Sequence, residues 1–137
     1  MFCNGRCTFI LTLSLIPWIQ LGSSRQLYVA RGTDVVLYQN SKRPKGQSPW
    51  QPSMTFSDHQ GDISKFVIIG GQLVTCSVDK SIRTWNLKTG ICCGLYVGHS
   101  SDVHSVDCFG EVVVSGSRDK TVKVHIHSGN LCFNYGK

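Results

Sequence analysis

The sequence predicts an all-β chain, and three observations carry that expectation. The chain matches itself at an offset of 40 residues. Within each copy, short β-branched runs alternate with Gly, Asp and Lys at turn positions. Composition agrees: 14 glycines and only 16% charged residues suit many tight turns better than long solvated helices.

The self-match places His59 on His99, Asp62 on Asp102, Gly70 on Gly110, Val74 on Val114, Ser77 on Ser117, Asp79 on Asp119 and Lys80 on Lys120. Conservative pairs fill the gaps: Ile63 with Val103, Leu73 with Val113, Ser81 with Thr121, Ile82 with Val122, and Arg83 with Lys123. One fixed offset held over about 30 residues marks a structural repeat.

In the first copy a strand is expected over Ile63–Ile69, and Gly70-Gly71 turns the chain. Leu73–Ser77 returns, Asp79-Lys80 turns it again, and Ile82–Leu87 and Cys92–Val97 complete the unit. The second copy repeats this with Val103–Phe109, Val112–Ser115, Val122–Ile126 and Leu131–Phe133. Four short strands in a period of about 40 residues describe a β-propeller blade and not a helical solenoid. Upstream, Leu27–Ala30 and Val35–Tyr38 flank the turn Arg31-Gly32-Thr33-Asp34, as the middle strands of a degenerate half blade would. Tyr38 then aligns with Trp85 at an offset of 47, so the next loop is longer. That loop, residues 39–52, holds Pro44, Pro49 and Pro52 with Lys42, Arg43 and Lys45, and is expected to be exposed and irregular.

The expected fold is therefore a partial β-propeller of about two complete four-stranded blades plus a half blade. Its units are an apolar segment (1–24), the partial blade and basic loop (25–57), and two repeats (58–97 and 98–137). In the first unit Arg6 precedes the apolar run Phe9–Ile16, then Pro17-Trp18 and the small residues Gly22-Ser23-Ser24. A secretory signal has this order, but Trp18, Ile19, Gln20 and Leu21 crowd its cleavage site. An apolar tail that packs on, or hangs from, a neighbouring domain is the preferred reading, and a secreted β-rich protein the alternative.

Length fits one small domain, and 41% hydrophobic residues argue against wholesale disorder. No apolar run reaches the roughly 20 residues of a membrane span, so no membrane partner is expected. A net charge of +6 is too mild and dispersed to indicate a nucleic-acid partner. The seven cysteines (Cys3, Cys7, Cys76, Cys92, Cys93, Cys108 and Cys132) are odd in number and lack zinc-ligand spacing. Cys76 and Cys108 lie in apolar strands, which favours buried free thiols, a reducing compartment and a cytoplasmic or nuclear location.

The motifs themselves carry a family resemblance. Gly98-His99, the run from Leu73 through Val78-Asp79-Lys80-Ser81 to Trp85-Asn86, and the run from Val114 through Arg118-Asp119-Lys120-Thr121 to Val124 resemble WD repeats. Departures are Asp58-His59 where the family favours Gly-His, and Trp85-Asn86 and His125-Ile126 where it favours Trp-Asp. Pro17-Trp18-Ile19-Gln20-Leu21, Leu27-Tyr28-Val29 and His104-Ser105-Val106-Asp107-Cys108 are similar to F-box/WD-repeat proteins. That resemblance implies a propeller that holds a protein substrate for a Skp1–cullin–F-box ubiquitin ligase, with no cofactor. Sixteen residues before Pro17 are too few for a three-helix F-box, and a closed propeller needs about four to eight blades. A truncated form is expected, marginally stable alone and prone to self-association through open sheet edges.

By the same resemblance, His59, Asp79 and Trp85 form a structural hydrogen-bonded chain, with Thr75 or Ser77 supplying its hydroxyl. His99, Asp119 and Ser115 or Ser117 do so in the second repeat, where His125 takes the Trp position. A Ser-His-Asp catalytic reading is set aside, because a triad occurs once per site and not once per repeat. His125 and His127 share one strand face and could hold a metal, but no third ligand is spaced for it, so no metal is expected. Lys42, Arg43 and Lys45 fit a nuclear import signal, with a solvated loop as the plainer reading. Lys80, Arg118 and Lys120 lie in turns and are the candidate partner contacts.

Overall fold

The repeat of β-branched runs becomes a repeat of sheets. The computed structural model describes residues 18–23 and 25–126, which contain eleven strands in three antiparallel sheets and no helix. The first sheet holds β1 (Ile19–Leu21), β2 (Gln26–Arg31), β3 (Asp34–Asn40) and β4 (Trp50–Ser57). The second holds β5 (Ile63–Ile69), β6 (Gln72–Ser77), β7 (Ile82–Asn86) and β8 (Cys92–Tyr96). In the third, β9 (Val103–Phe109), β10 (Val112–Ser117) and β11 (Val122–Ile126) are described. The expected strand at Leu131–Phe133, His127, and Cys3, Cys7 and Cys132 lie outside the described residues, as does the segment before Trp18.

Turn chemistry sets the registers. Gly70 and Gly71 take φ of 58° and 77°, the left-handed pair of a tight hairpin, and pair Ile69 with Gln72. Both later hairpins between second and third strands turn through a four-residue segment, Val78–Ser81 and Arg118–Thr121.

Sheets stack in chain order, each through one apolar face. Tyr28, Ala30, Val35, Leu37 and Phe56 of the first sheet pack on Ile63, Phe66, Leu73 and Trp85 of the second. The Phe56 and Trp85 rings meet edge to face, centroids 5.9 Å apart. Val74, Cys76 and Ile82 on the opposite face of the second sheet pack on Val103, Val106, Cys108 and Val113 of the third. With a neighbour on both faces, every residue of β6 is buried, whereas β9 alternates between buried and exposed positions.

Two features depart from the sequence reading. The expected half blade is a full four-stranded sheet, because β1 and β4 pair onto β2 and β3. Its loop is correspondingly shorter, residues 41–49, since β3 runs on to Asn40 and β4 begins at Trp50. Pro52 sits inside β4 at an irregularity in the register between Leu37 and Tyr38, where the ladder tolerates a residue without N–H. Cys76, Cys92 and Cys108 are free, while Cys93 is disulfide-bonded, against the expectation of free thiols. Burial pushes the Cys76 thiol up to about 12 and that of Cys108 to about 11, leaving both unreactive.

Candidate functional site

Each of the two later sheets carries a buried polar chain, assembled from four places in its sequence. His59 precedes β5, Thr75 lies in β6, Asp79 in the β6–β7 turn and Trp85 in β7. His59 Nδ1 lies 2.8 Å from Asp79 Oδ2, and its Nε2 lies 2.7 Å from Thr75 Oγ1. Trp85 Nε1 donates to Thr75 Oγ1 at 2.9 Å. An indole N–H can only donate, so the Thr75 hydroxyl proton is free to go to His59 Nε2. His59 is thereby assigned as neutral, with its proton on Nδ1 directed at the Asp79 carboxylate.

Electrostatics agree with that assignment. Burial pushes the His59 pKa down, against the opposing pull of Asp79. Burial also works to raise the Asp79 carboxyl, but hydrogen bonds from Ser81, His59 and the Gln60 and Ser81 amides outweigh it and hold it at about 2. Those contacts are Ser81 Oγ at 2.5 Å, the Gln60 amide at 2.9 Å and the Ser81 amide at 2.9 Å.

The third sheet repeats the design with one change. His99 Nδ1 stands 2.8 Å from Asp119 Oδ2 and Nε2 stands 2.9 Å from Ser115 Oγ. The Thr121 hydroxyl, with His99 and the Ser100 and Thr121 amides, holds Asp119 well below the usual carboxylate range. His125 stands where Trp85 stands in the second sheet, its Nε2 3.4 Å from Ser115 Oγ and its ring 5.0 Å from that of Tyr96. Burial pushes the His125 pKa down, with His99 and Lys123 adding to the effect.

The hydroxyls of both chains therefore belong to Thr75 and Ser115, not to Ser77 and Ser117. Ser77 and Ser117 instead brace the turns. Ser77 Oγ donates to the Gly61 carbonyl at 2.8 Å and accepts the Asp79 amide at 3.0 Å. Ser117 Oγ reaches the Asp102 carbonyl at 2.8 Å and accepts the Asp119 amide at 3.1 Å. Each stands two residues further along its strand, at the turn, where the backbone groups needing partners lie.

Asp-His-hydroxyl connectivity is that of a hydrolase triad, but here the hydroxyl has no access to a substrate. Thr75 is fully buried and Ser115 nearly so. A recess of about 180 Å³ is lined by Ser105, Asp107, Val114, Gly116, Val122 and Ser115 among others. The Ser115 side chain points to the opposite face from Val114 and Gly116 by strand alternation, toward His99. Among the described residues no group of three or more His, Cys, Asp or Glu could hold a metal.

Lys80, Arg118 and Lys120 are exposed in the β6–β7 and β10–β11 turns. Lys80 and Lys120 take φ of 73° and 68°, a left-handed conformation that Gly32 (φ 61°) adopts in the β2–β3 turn. No helix among the described residues is long and apolar enough to cross a membrane.

Comparison with known proteins follows the same lines. The family model "WD domain, G-beta repeat" matches residues 50–86 and 90–125. Each match begins with the last strand of one sheet (β4, then β8) and ends on the third strand of the next, so the repeat runs one strand out of step with the sheets. F-box/WD repeat-containing protein 4 (dactylin) of Mus musculus is 34% identical over 131 residues, 94% of this chain and 31% of that protein. Its Homo sapiens counterpart is 34% identical over 133 residues, again with 31% of its length spanned. WD repeat-containing protein pop1 of Schizosaccharomyces pombe is 33% identical over 67 residues, 49% of this chain and 8% of that protein. The crystal structures of the computationally designed Ika8 and Ika4 proteins superpose with TM-scores of 0.66 and 0.65 at 24% and 23% identity. Each covers 80% of this chain, and 32% and 64% of its own chain respectively, which shows a shared fold. With the family model taking in more than half of the 137 residues, across eight of the eleven described strands and both His–Asp pairs' sheets, the chain belongs to the WD-repeat family.

Proposed function

We propose that the chain is a non-catalytic protein-binding module of the kind that presents substrates in an F-box/WD-repeat adaptor of a Skp1–cullin–F-box ubiquitin ligase. The observation that carries this reading is 34% identity to F-box/WD repeat-containing protein 4 over 94% of the chain. The chain spans 31% of that relative, so the ligase connection belongs to this proposal alone. The two His–Asp chains are its structural pins. They hold the β6–β7 and β10–β11 turns in one geometry, so that Lys80, Arg118 and Lys120 meet a partner from a fixed rim. A cytoplasmic or nuclear location goes with this reading.

Affinity capture from cells tests it, using the 137-residue chain and the same chain joined to an F-box. Both forms are expected to hold the same client proteins, and only the joined form brings Skp1 and cullin and raises client ubiquitination. Capture of no shared client, or clients unaffected by the joined form, overturns the adaptor role. A client retained by Lys80→Glu/Arg118→Glu/Lys120→Glu removes the rim from it.

A second reading, a secreted β-rich protein, draws on the disulfide at Cys93. Thiol counting on denatured protein recovered from cells separates the two. Close to seven thiols, with the Cys93 bond absent in cells, supports the intracellular reading, and stable disulfides with a cleaved leader support secretion.

A further inference from the structure

We propose that the loop between β3 and β4 is a docking segment for a protein groove lined with carboxylates, of the kind by which import receptors carry cargo into the nucleus. Residues 41–49 hold three cations, Lys42, Arg43 and Lys45, and no anion. The three fall within four consecutive residues, a span of at most about 10 Å. All are exposed. Among the described residues the ion pairs belong to His59, Arg83 and His99, so none of the loop's charges is met by a carboxylate.

The backbone is arranged to present them. Asn40 pairs with Trp50, and the Ser41 amide donates to the Pro49 carbonyl at 2.9 Å, which closes the loop at its base. At the far end the Gln47 amide donates to the Pro44 carbonyl at 3.2 Å, and Gly46 takes φ of 96°. Between these anchors Lys42 and Arg43 lie in neither strand nor turn, and Pro44 biases Arg43 towards extended backbone. Among the described residues no carbonyl accepts from the Lys42, Arg43 or Lys45 amides. A partner thus meets open backbone and three charges on a segment whose ends are already fixed, so less ordering is needed on binding.

Comparison with the next sheet sets this loop apart from an ordinary connection. The equivalent loop between β7 and β8, residues 87–91, is shorter and carries one cation, Lys88, whose amide is tied to Asn86 Oδ1 at 2.7 Å. An insertion confined to one repeat and placed at the surface is where repeat folds commonly carry binding sequences. Charge complementarity then identifies the partner. The loop holds no aromatic side chain to stack on a base, and three cations are too few to follow a nucleic-acid backbone. A protein groove whose carboxylates take Lys42, Arg43 and Lys45 by charge-assisted hydrogen bonds fits both facts. The loop serves this purpose whether or not the chain presents clients to a ligase.

The full 137-residue chain, fused to a reporter too large to diffuse through nuclear pores, reads this by fluorescence microscopy. The wild-type fusion is expected to gather in the nucleus, and Lys42→Ala/Arg43→Ala/Lys45→Ala to stay in the cytoplasm. Lys42→Arg/Lys45→Arg, which keeps the charge, and Arg31→Ala/Lys88→Ala, which removes exposed charge elsewhere, should both behave as wild type. Fluorescence anisotropy with a purified import receptor bearing an acidic cargo groove should show binding that weakens roughly 10–100-fold in the triple variant, and also with rising salt. Circular dichroism and the urea midpoint of the triple variant should not move, because all three side chains are exposed. A fusion excluded from the nucleus, or nuclear entry and receptor binding indifferent to the triple substitution, would overturn the proposal. So would a triple variant that loses affinity for heparin or single-stranded RNA alone, which would reassign the loop to polyanions.

Discussion

His59 and Asp79, twenty residues apart in sequence, meet at 2.8 Å with the imidazole fully buried, and His99 and Asp119 repeat the contact at the same distance. A contact reproduced in both sheets ties the segment entering each sheet to the turn between its second and third strands. It lets Asp79 gather donors from Gln60, Ser81 and His59 at once. Removing one member leaves the others buried with unmet hydrogen-bonding groups, and this asymmetry makes the chain testable.

Asp79→Asn is expected to lower stability by about 1–3 kcal/mol near neutral pH, read from urea unfolding. The wild-type carboxyl is held at about 2 against an ordinary value of 3.8. An acid whose folded pKa is depressed contributes its full stability above the unfolded value and loses it as pH falls through the folded one. The Asp79→Asn penalty should therefore shrink between pH 4 and pH 2. A penalty constant across that window would show that charge plays no part.

Trp85 does two things, and two substitutions separate them. Trp85→Phe keeps a ring against Phe56 but removes the donor to Thr75, at a cost of about 1–2 kcal/mol. Trp85→Ala also opens a cavity between the first two sheets, at about 3–5 kcal/mol. Equal losses for the two variants would mean that the indole N–H carries most of the effect.

Acid sensitivity should trace partly to His125. Burial pushes its pKa and that of His59 below 6.5, so the unfolded chain takes up protons that the folded chain refuses. Stability is then complete above pH 6.5 and declines as pH drops below it. His125→Trp, which restores the residue type of the second sheet, should make that decline shallower. An unchanged profile from pH 7 to 5 would remove His125 from the account.

Lys80 and Lys120 hold left-handed backbone in the turns between the second and third strands of their sheets, as Gly32 does in the first sheet. Lys80→Gly is expected to stabilise by about 0.5–1 kcal/mol, relief of the side-chain clash outweighing the added backbone freedom of the unfolded state. Under the proposed function, the same change weakens client capture. A variant both more stable and less able to bind would show that the strained lysine is kept for the partner. One that binds as before would assign the turn to folding alone.

The sequence by itself determined most of the strand order. From β5 through β11 the offset of 40, the β-branched runs and the Gly70-Gly71 and Asp79-Lys80 turns were legible, because each is a local pattern that neighbouring residues impose. The strands β1 and β4 were not. Trp50–Ser57 contains Pro52, polar residues at four of its eight positions and no β-branched run, so nothing local marks it as a strand; pairing with β3 makes it one.

Tertiary structure alone decided which hydroxyl completes each polar chain. Thr75 and Ser77 are two residues apart on one face of a strand, so either could face the imidazole by alternation. The register that pairs Leu73 with Trp85 and Thr75 with Arg83 sets the Thr75 hydroxyl beneath the indole N–H and leaves Ser77 at the turn. Register is a long-range choice, made when one sheet's apolar face is buried on the next. For the same reason sequence could supply the apolar residues of the third sheet, but only the stacking of sheets showed which of its faces packs on the second.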